Sequence, residues 1–172
     1  MIIRKATVAD AEGVAKVHVD CWRTTYKSII SEKLLANLSY EQRTKLWVNN
    51  ISREENSVFV VESNDRNIVG FIDGSSVKPG EYQGYAGDIT SIYILKEHQG
   101  LGIGKKLIKS LFDEFKSLNY HSVIVKVLEE NSFCKFYEAM GAKVVDTTII
   151  NIADDNLNLL VYGWEDINLL KA

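Results

Sequence analysis

Cysteine is scarce: Cys21 and Cys134 are the only two in 172 residues. Two are too few for a disulfide framework in a chain of this length, or for a four-thiolate zinc site. A reducing, cytoplasmic setting and no metal are therefore expected. Proline is scarcer, with Pro79 alone, and no repeat, low-complexity tract or Ser/Pro-rich linker breaks the chain. One domain spanning 1–172 is the expectation. Basic charge is not in excess either, since 20 Lys and Arg stand against 23 Asp and Glu for a net charge of −3. That argues against a main partner bound by phosphate neutralisation, so nucleic acid is not expected. No stretch approaches the ~20 apolar residues of a membrane span, and Met1 to Asp10 holds no apolar run of signal-peptide length. Neither membrane attachment nor export is expected.

What is present is an ordinary globular balance, 46% hydrophobic and 25% charged. Ile2 to Ala6 reads as a short strand, and Thr7-x-x-Asp10 as a helix start ahead of Val14, Val17 and Cys21. Ser39-x-x-Gln42 is a second start, leading Leu46, Trp47 and Ile51. The period then changes. Val58–Val61 and Ile68–Ile72 are β-rich runs joined by the turn-forming stretch Asn64-Asp65-Arg66-Asn67, which predicts a hairpin. The polar stretch from Ser75 to Gly87 reads as a loop. Ile89–Leu95 is a third run, followed by a glycine-rich turn and then Ile103, Leu107, Ile108, Leu111, Phe112 and Phe115 at helical spacing. Val123–Leu128 predicts another strand. A short helix with Phe133, Phe136, Tyr137 and Met140 on one side follows, stopped by Gly141, and strands near 144–150 and 157–164 complete the chain. Alternating strands and helices in the second half predict an α/β sheet with at least one parallel pair.

The turn Gln99-Gly100-Leu101-Gly102-Ile103-Gly104-Lys105-Lys106 lies where a strand gives way to a helix. Glycines there let the backbone approach a ligand, and the free N–H groups of the helix start, with its dipole, suit a pyrophosphate. Two other phosphate loops fail on spacing. The P-loop needs Gly where Gln99 stands and Ser or Thr where Lys106 stands; the dinucleotide fingerprint needs its third Gly at Lys105 or Leu107.

One strand later comes Asn131-Ser132-Phe133-Cys134-Lys135-Phe136-Tyr137-Glu138. Together, Gln99-x-x-Gly102-x-Gly104 and Asn131 with Phe136-Tyr137-Glu138 resemble the GNAT superfamily of acyl-CoA-dependent N-acetyltransferases, and the order of elements follows that family through nearly the whole chain. The resemblance implies a mixed central β-sheet of six to seven strands, helices on both faces and splayed central parallel strands. It implies that Gln99, Gly100, Leu101, Gly102, Ile103, Gly104 and Lys105 cradle the pyrophosphate of acetyl-CoA through backbone amides. Ile92, Tyr93 and Ile94 would lend main-chain groups to the pantetheine arm, as an added strand does. Asn131 would bind the cofactor or a nearby water; capping the following helix is the competing role.

Transfer of an acetyl group from a thioester to an amine expels a thiolate, and Tyr137 matches the family's general acid for it. Packing of its ring beside Phe133 and Met140 is the alternative. The amine arrives as ammonium and must lose a proton, for which Asp88, at the start of the central strand where many relatives carry Glu, is the candidate base. Its shorter side chain leaves a water relay, or no dedicated base, open. Glu97, His98 and His121 are weaker candidates, being charged or imidazole groups near turns. Trp22 and Tyr26, with Arg23 between them, stand where the family walls its acceptor pocket, although aromatics at helical spacing also pack cores. Cys21 near His18 lacks an oxyanion site and a third orienting group, and reads as structural. The implied partner is a small-molecule or peptide amine, with a homodimer left open. A non-catalytic acyl-CoA sensor or scaffold is the competing function.

Overall fold

The computed structural model describes residues 1–170. Seven strands form one sheet: β1 (Ile2–Lys5), β2 (Ser57–Glu62), β3 (Ile68–Ser76), β4 (Gly87–Ile94), β5 (Val123–Leu128), β6 (Lys143–Ile152) and β7 (Asp155–Trp164). Their spatial order is β1-β2-β3-β4-β5-β7-β6. The β4–β5 pair is parallel and the other neighbours are antiparallel. Five helices accompany them among the described residues: α1 (Ala11–Thr25), α2 (Glu32–Ala36), α3 (Tyr40–Ser52), α4 (Ile103–Ser117) and α5 (Cys134–Ala139). This is the expected α/β sheet with helices on both faces.

The parallel pair is short. β4 and β5 are in register only from Gly87 with Val123 to Ile89 with Val125, and beyond that the strands part. On its other side β4 stays paired with β3 as far as Ile94. The splay expected of the central strands is therefore present, and it leaves one edge of β4 without a strand partner.

Periodicity decides which face each helix covers. The apolar repeat of α4 buries Ile103, Leu107, Ile108, Leu111, Phe112 and Phe115 against Ile72, Ile89, Val123 and Val125. Burying a side chain of this kind contributes about 1.5–3 kcal/mol. On the opposite face α1 and α3 place Val14, Val17, Cys21 and Trp47 over Val58, Val60 and Phe71. A smaller cluster, Tyr26, Ile30, Leu35 and Leu128, fills the space near α2. β6 is an edge strand, exposed along nearly its whole length.

Several local expectations need correction. Thr7 introduces a single 3-10 turn, Val8–Asp10, before α1 begins at Ala11. There the Thr7 amide donates to the Asp10 carboxylate at 2.8 Å, and Arg4 engages the same carboxylate through two bonds. α2 has too few residues to show a period and was not anticipated; Ser31 caps it by accepting from the Leu34 amide. β3 runs on to Ser76, so the connecting loop covers 77–86 rather than starting at Ser75. Phe133 is 37% exposed and precedes α5, whereas Tyr137 and Met140 are buried. The four residues thus do not share one packed side.

Candidate active site

A cavity of about 280 Å³ opens where β4 and β5 separate. Its wall includes Ile92, Tyr93 and Ile94 from β4, Gln99, Gly100, Gly102, Ile103, Gly104 and Lys105 from the turn into α4, and Asn131 and Tyr137 from the α5 segment. The end of β4 and the turn that follows it meet the distant α5 segment where the two parallel strands part. Cys21, Thr25, His98, Phe133 and Phe136 complete the wall. Leu101, Trp22, Tyr26 and Asp88 do not line it.

The glycine turn is shaped for close approach. Gly100 and Gly102 have φ of +77° and +74°, a region that side chains rarely adopt, although a Cβ there would meet nothing within 4 Å. Gly104 is required for a different reason: a Cβ would come within 3.1 Å of the Phe136 ring on α5. The N–H groups of Gly100 through Lys105 donate to no protein acceptor among the described residues, and the first α4 bond runs from the Lys106 amide to the Gly102 carbonyl at 3.3 Å. Six consecutive donors, with the dipole of a 15-residue helix behind the last of them, form an anion cradle. The residues present fit a pyrophosphate.

The strand edge beside them also has free groups. The Leu95 amide donates to the Val69 carbonyl at 2.9 Å, and Tyr93 stands opposite Phe71 in the same antiparallel ladder. Antiparallel bonding alternates, so the main-chain groups of Tyr93 face β3 and those of Ile92 and Ile94 face the gap. The Gln99 carboxamide donates to the Ile94 carbonyl at 2.9 Å, which marks that carbonyl as turned to the gap. Ile92 and Ile94 thus have backbone groups available, while the Tyr93 main chain is committed to β3 and is not free for a cofactor.

Tyr137 is buried, and its hydroxyl makes no hydrogen bond to protein among the described residues. Burial pushes the phenol well above its ordinary pKa, which keeps it protonated and able to donate. Asn131 is buried, and its Oδ1 accepts from the Phe133 amide at 2.9 Å, an Asx turn leading into α5. His98 Nδ1 is buried without a partner. Cys21, pushed up to about 12 chiefly by burial, is a thiol and not a nucleophile at neutral pH.

Asp88 stands apart, at the other end of β4 opposite Ile124. Burial raises its carboxyl to about 6, with Lys126 opposing the rise and Glu81 adding to it. Ile92 lies four steps further along the strand, a distance of about 13 Å. A second, more open hollow of about 400 Å³, lined by Glu81, Tyr82, Lys126, Asp146, Thr148 and Leu159, shares the charges that act on Asp88. Trp22 and Tyr26 turn to Tyr93: the Trp22 Nε1–H donates to the Tyr93 hydroxyl at 3.0 Å, and the Tyr26 and Tyr93 hydroxyls share a bond of 3.2 Å. Glu97 and His121 are exposed.

Asp73 escaped the sequence reading. It is 3% exposed on β3, takes a short hydrogen bond from the Ser91 hydroxyl, and is raised to about 6 by burial. Nothing in the run Ile68–Ile72 signals that the strand continues into a buried carboxylate. Phe133 and Phe136 were legible only as apolar residues, because a helical period does not say whether a face meets a core or a cavity.

Comparison with known proteins agrees with this architecture. The family model for the acetyltransferase (GNAT) family matches residues 17–142. YuaI of Bacillus subtilis, an uncharacterised N-acetyltransferase, is 33% identical over 170 residues, covering 99% of this chain and 96% of its own. The spermidine N(1)-acetyltransferase of Thermoplasma acidophilum is 26% identical over 150 residues, 84% of this chain and 89% of its own. Among solved structures, the PaiA N-acetyltransferase of Thermoplasma acidophilum, in complex with coenzyme A, superposes with a TM-score of 0.74 at 22% identity, over 92% of this chain and 96% of that one. The chain belongs to the GNAT family of acetyltransferases.

Proposed function

We propose that this protein binds acetyl-CoA in the cavity between β4 and β5 and passes the acetyl group directly to a primary amine of a small molecule or a peptide N-terminus. One observation carries the reading: the glycine turn with its unpartnered N–H groups, the edge of β4 at Ile92 and Ile94, and Tyr137 line one cavity. The PaiA protein solved with coenzyme A and the relative named for spermidine acetylation support it.

In this reading the glycine turn holds the pyrophosphate, and Ile92 and Ile94 hold the pantetheine amides as an extra strand would. Acetyl-CoA supplies the activated acyl group. Tyr137, kept protonated by burial, gives its proton to the departing thiolate. Asn131 orders the start of α5 and thereby sets the Tyr137 ring. Asp88, with a carboxyl raised to about 6, accepts the proton of the incoming ammonium. Its distance from Ile92 requires water between them or an acceptor reaching along β4. Cys21 takes no part, since its raised pKa disfavours an acyl-enzyme route.

The test is a screen of diamines, polyamines, amino sugars and peptide N-termini for release of CoA thiol from acetyl-CoA. Thiol release with at least one amine is expected. Tight acetyl-CoA binding without turnover on any of them would favour the sensor or scaffold.

A further inference from the structure

Three side chains behind the cavity form a short hydrogen-bond chain. The Trp22 Nε1–H donates to the Tyr93 hydroxyl, and the Tyr93 and Tyr26 hydroxyls share one bond.

Counting protons along this chain has a definite result. The indole N–H, a donor, closes one end, and the Tyr26 hydroxyl has no protein partner besides Tyr93 among the described residues. Between the two phenol oxygens there is room for one proton, yet two phenols bring two. One hydroxyl proton is therefore surplus, and no protein acceptor takes it among the described residues. Were Tyr93 to donate to Tyr26, the surplus proton would sit on Tyr26, which is 8% exposed and does not line the cavity. A buried donor without a partner is costly. The opposite arrangement, Tyr26 donating to Tyr93, leaves the surplus on Tyr93, which does line the cavity.

We propose that the Tyr93 hydroxyl, held by Trp22 and Tyr26, is a hydrogen-bond donor to the carbonyl oxygen of the bound acetyl group. This rests on the acetyl-CoA reading above and adds to it a residue that touches the reacting group. The ring is fixed as such a role requires, stacked on His18 at 5.6 Å and packed against Phe71. As the amine adds to the acetyl carbon, the C=O π pair moves to oxygen, and a fixed donor stabilises that charge more than it does the ground state. Trp22 and Tyr26 are then positioning residues: they act on the acyl group through Tyr93 rather than by walling an acceptor pocket.

The experiment requires no knowledge of the acceptor. Binding of acetyl-CoA and of CoA is measured by calorimetry for the parent and for Tyr93→Phe, together with the infrared carbonyl band of ¹³C-acetyl-CoA. In the parent, the band should move to lower frequency on binding. In Tyr93→Phe the preference for acetyl-CoA over CoA should shrink by about five- to tenfold, the worth of one neutral hydrogen bond, while CoA affinity holds. The band should also move back toward its position in water. If both ligands weaken equally, or the band is unchanged by the substitution, Tyr93 only walls the cavity and the proposal falls. Should Tyr93→Phe fail to fold, a parent band that does not move on binding overturns it. A parent that binds neither ligand removes the acetyl-CoA reading and this proposal with it.

Discussion

At its carboxyl end β4 turns Ile92 and Ile94 toward an open gap, and the glycine turn and α5 close around them. At its amino end, from Gly87 to Ile89, the same strand is paired on both sides and carries a half-buried carboxyl, Asp88, while Asp73 lies across from Ser91 on β3. One end offers backbone: free N–H groups and a conformation only glycine adopts readily. The other offers side-chain charge raised toward neutral pH by burial. The difference teaches that one strand can present main-chain donors suited to an anion at one end and titratable side chains at the other, so that substitutions at the two ends should fail in different ways.

The sharpest way to break this contrast is at the glycine turn. Gly104→Glu should abolish acetyl-CoA binding in calorimetry, because a Cβ already presses the Phe136 ring at 3.1 Å and a carboxylate would occupy the anion cradle. Gly102→Asp should do the same through repulsion, with the left-handed φ of +74° adding strain that Asp tolerates better than most residues. Unchanged affinity in folded variants of both would show that the cradle binds no phosphate.

Next in size is Tyr137→Phe. The ring stays packed against Tyr162 and Trp164, and only the hydroxyl is lost. If it is the acid, kcat should fall by about 10²–10⁴ while the Kd of acetyl-CoA holds. Steady-state rates near those of the parent, with chemistry shown to limit turnover, would assign the hydroxyl no proton transfer.

This contrast also governs what the sequence could and could not disclose. The cofactor end was readable because its constraints are local: Gly100 and Gly102 are needed for their own φ, and α4 announces itself by the spacing of Ile103, Leu107, Leu111 and Phe115. The splay follows from the family resemblance, whereas the strand order does not. The Tyr93 contacts were not readable, since they join residues 22, 26 and 93 across two elements and no spacing rule links them. Nor was the orientation of the Tyr93 backbone, which depends on whether Leu95 or Ile94 bonds to β3. Asp73 was hidden by its polarity, which reads as the end of an apolar strand although the chain buries it.

At the amino end the effects become smaller. Asp88→Asn should lower kcat/KM by about 10–100-fold and flatten the limb of the pH–rate profile that rises near pH 6, where the carboxylate forms. A parent profile that rises only near the pKa of the amine, with Asp88→Asn superimposable on it, would assign deprotonation to solvent.

The smallest effect concerns Asp73 and is read in stability. Burial raises its carboxyl to about 6, against an unfolded value near 3.9. The folded state therefore holds the proton more tightly, and between roughly pH 4 and 6 it binds more protons than the unfolded chain. By linkage, this residue opposes folding at neutral pH, and the cost is relieved as the pH falls through 6 toward 4. Asn at this position carries no charge at any pH and can still accept from the Ser91 hydroxyl. An amide oxygen accepts that bond less strongly than a carboxylate does. Asp73→Asn should thus be close to the parent at pH 7, where a weakened hydrogen bond offsets a lost buried charge. At pH 5 it should be less stable than the parent by on the order of 1–2 kcal/mol, because there the parent has gained its proton and the variant has gained nothing. Urea unfolding of both proteins at the two pH values measures this difference, and subtraction removes the part of the pH dependence that Asp88 contributes to each. A gap that is constant between pH 5 and 7 would mean that Asp73 is already ionised in the folded state at pH 5, with the Ser91 hydrogen bond outweighing the burial.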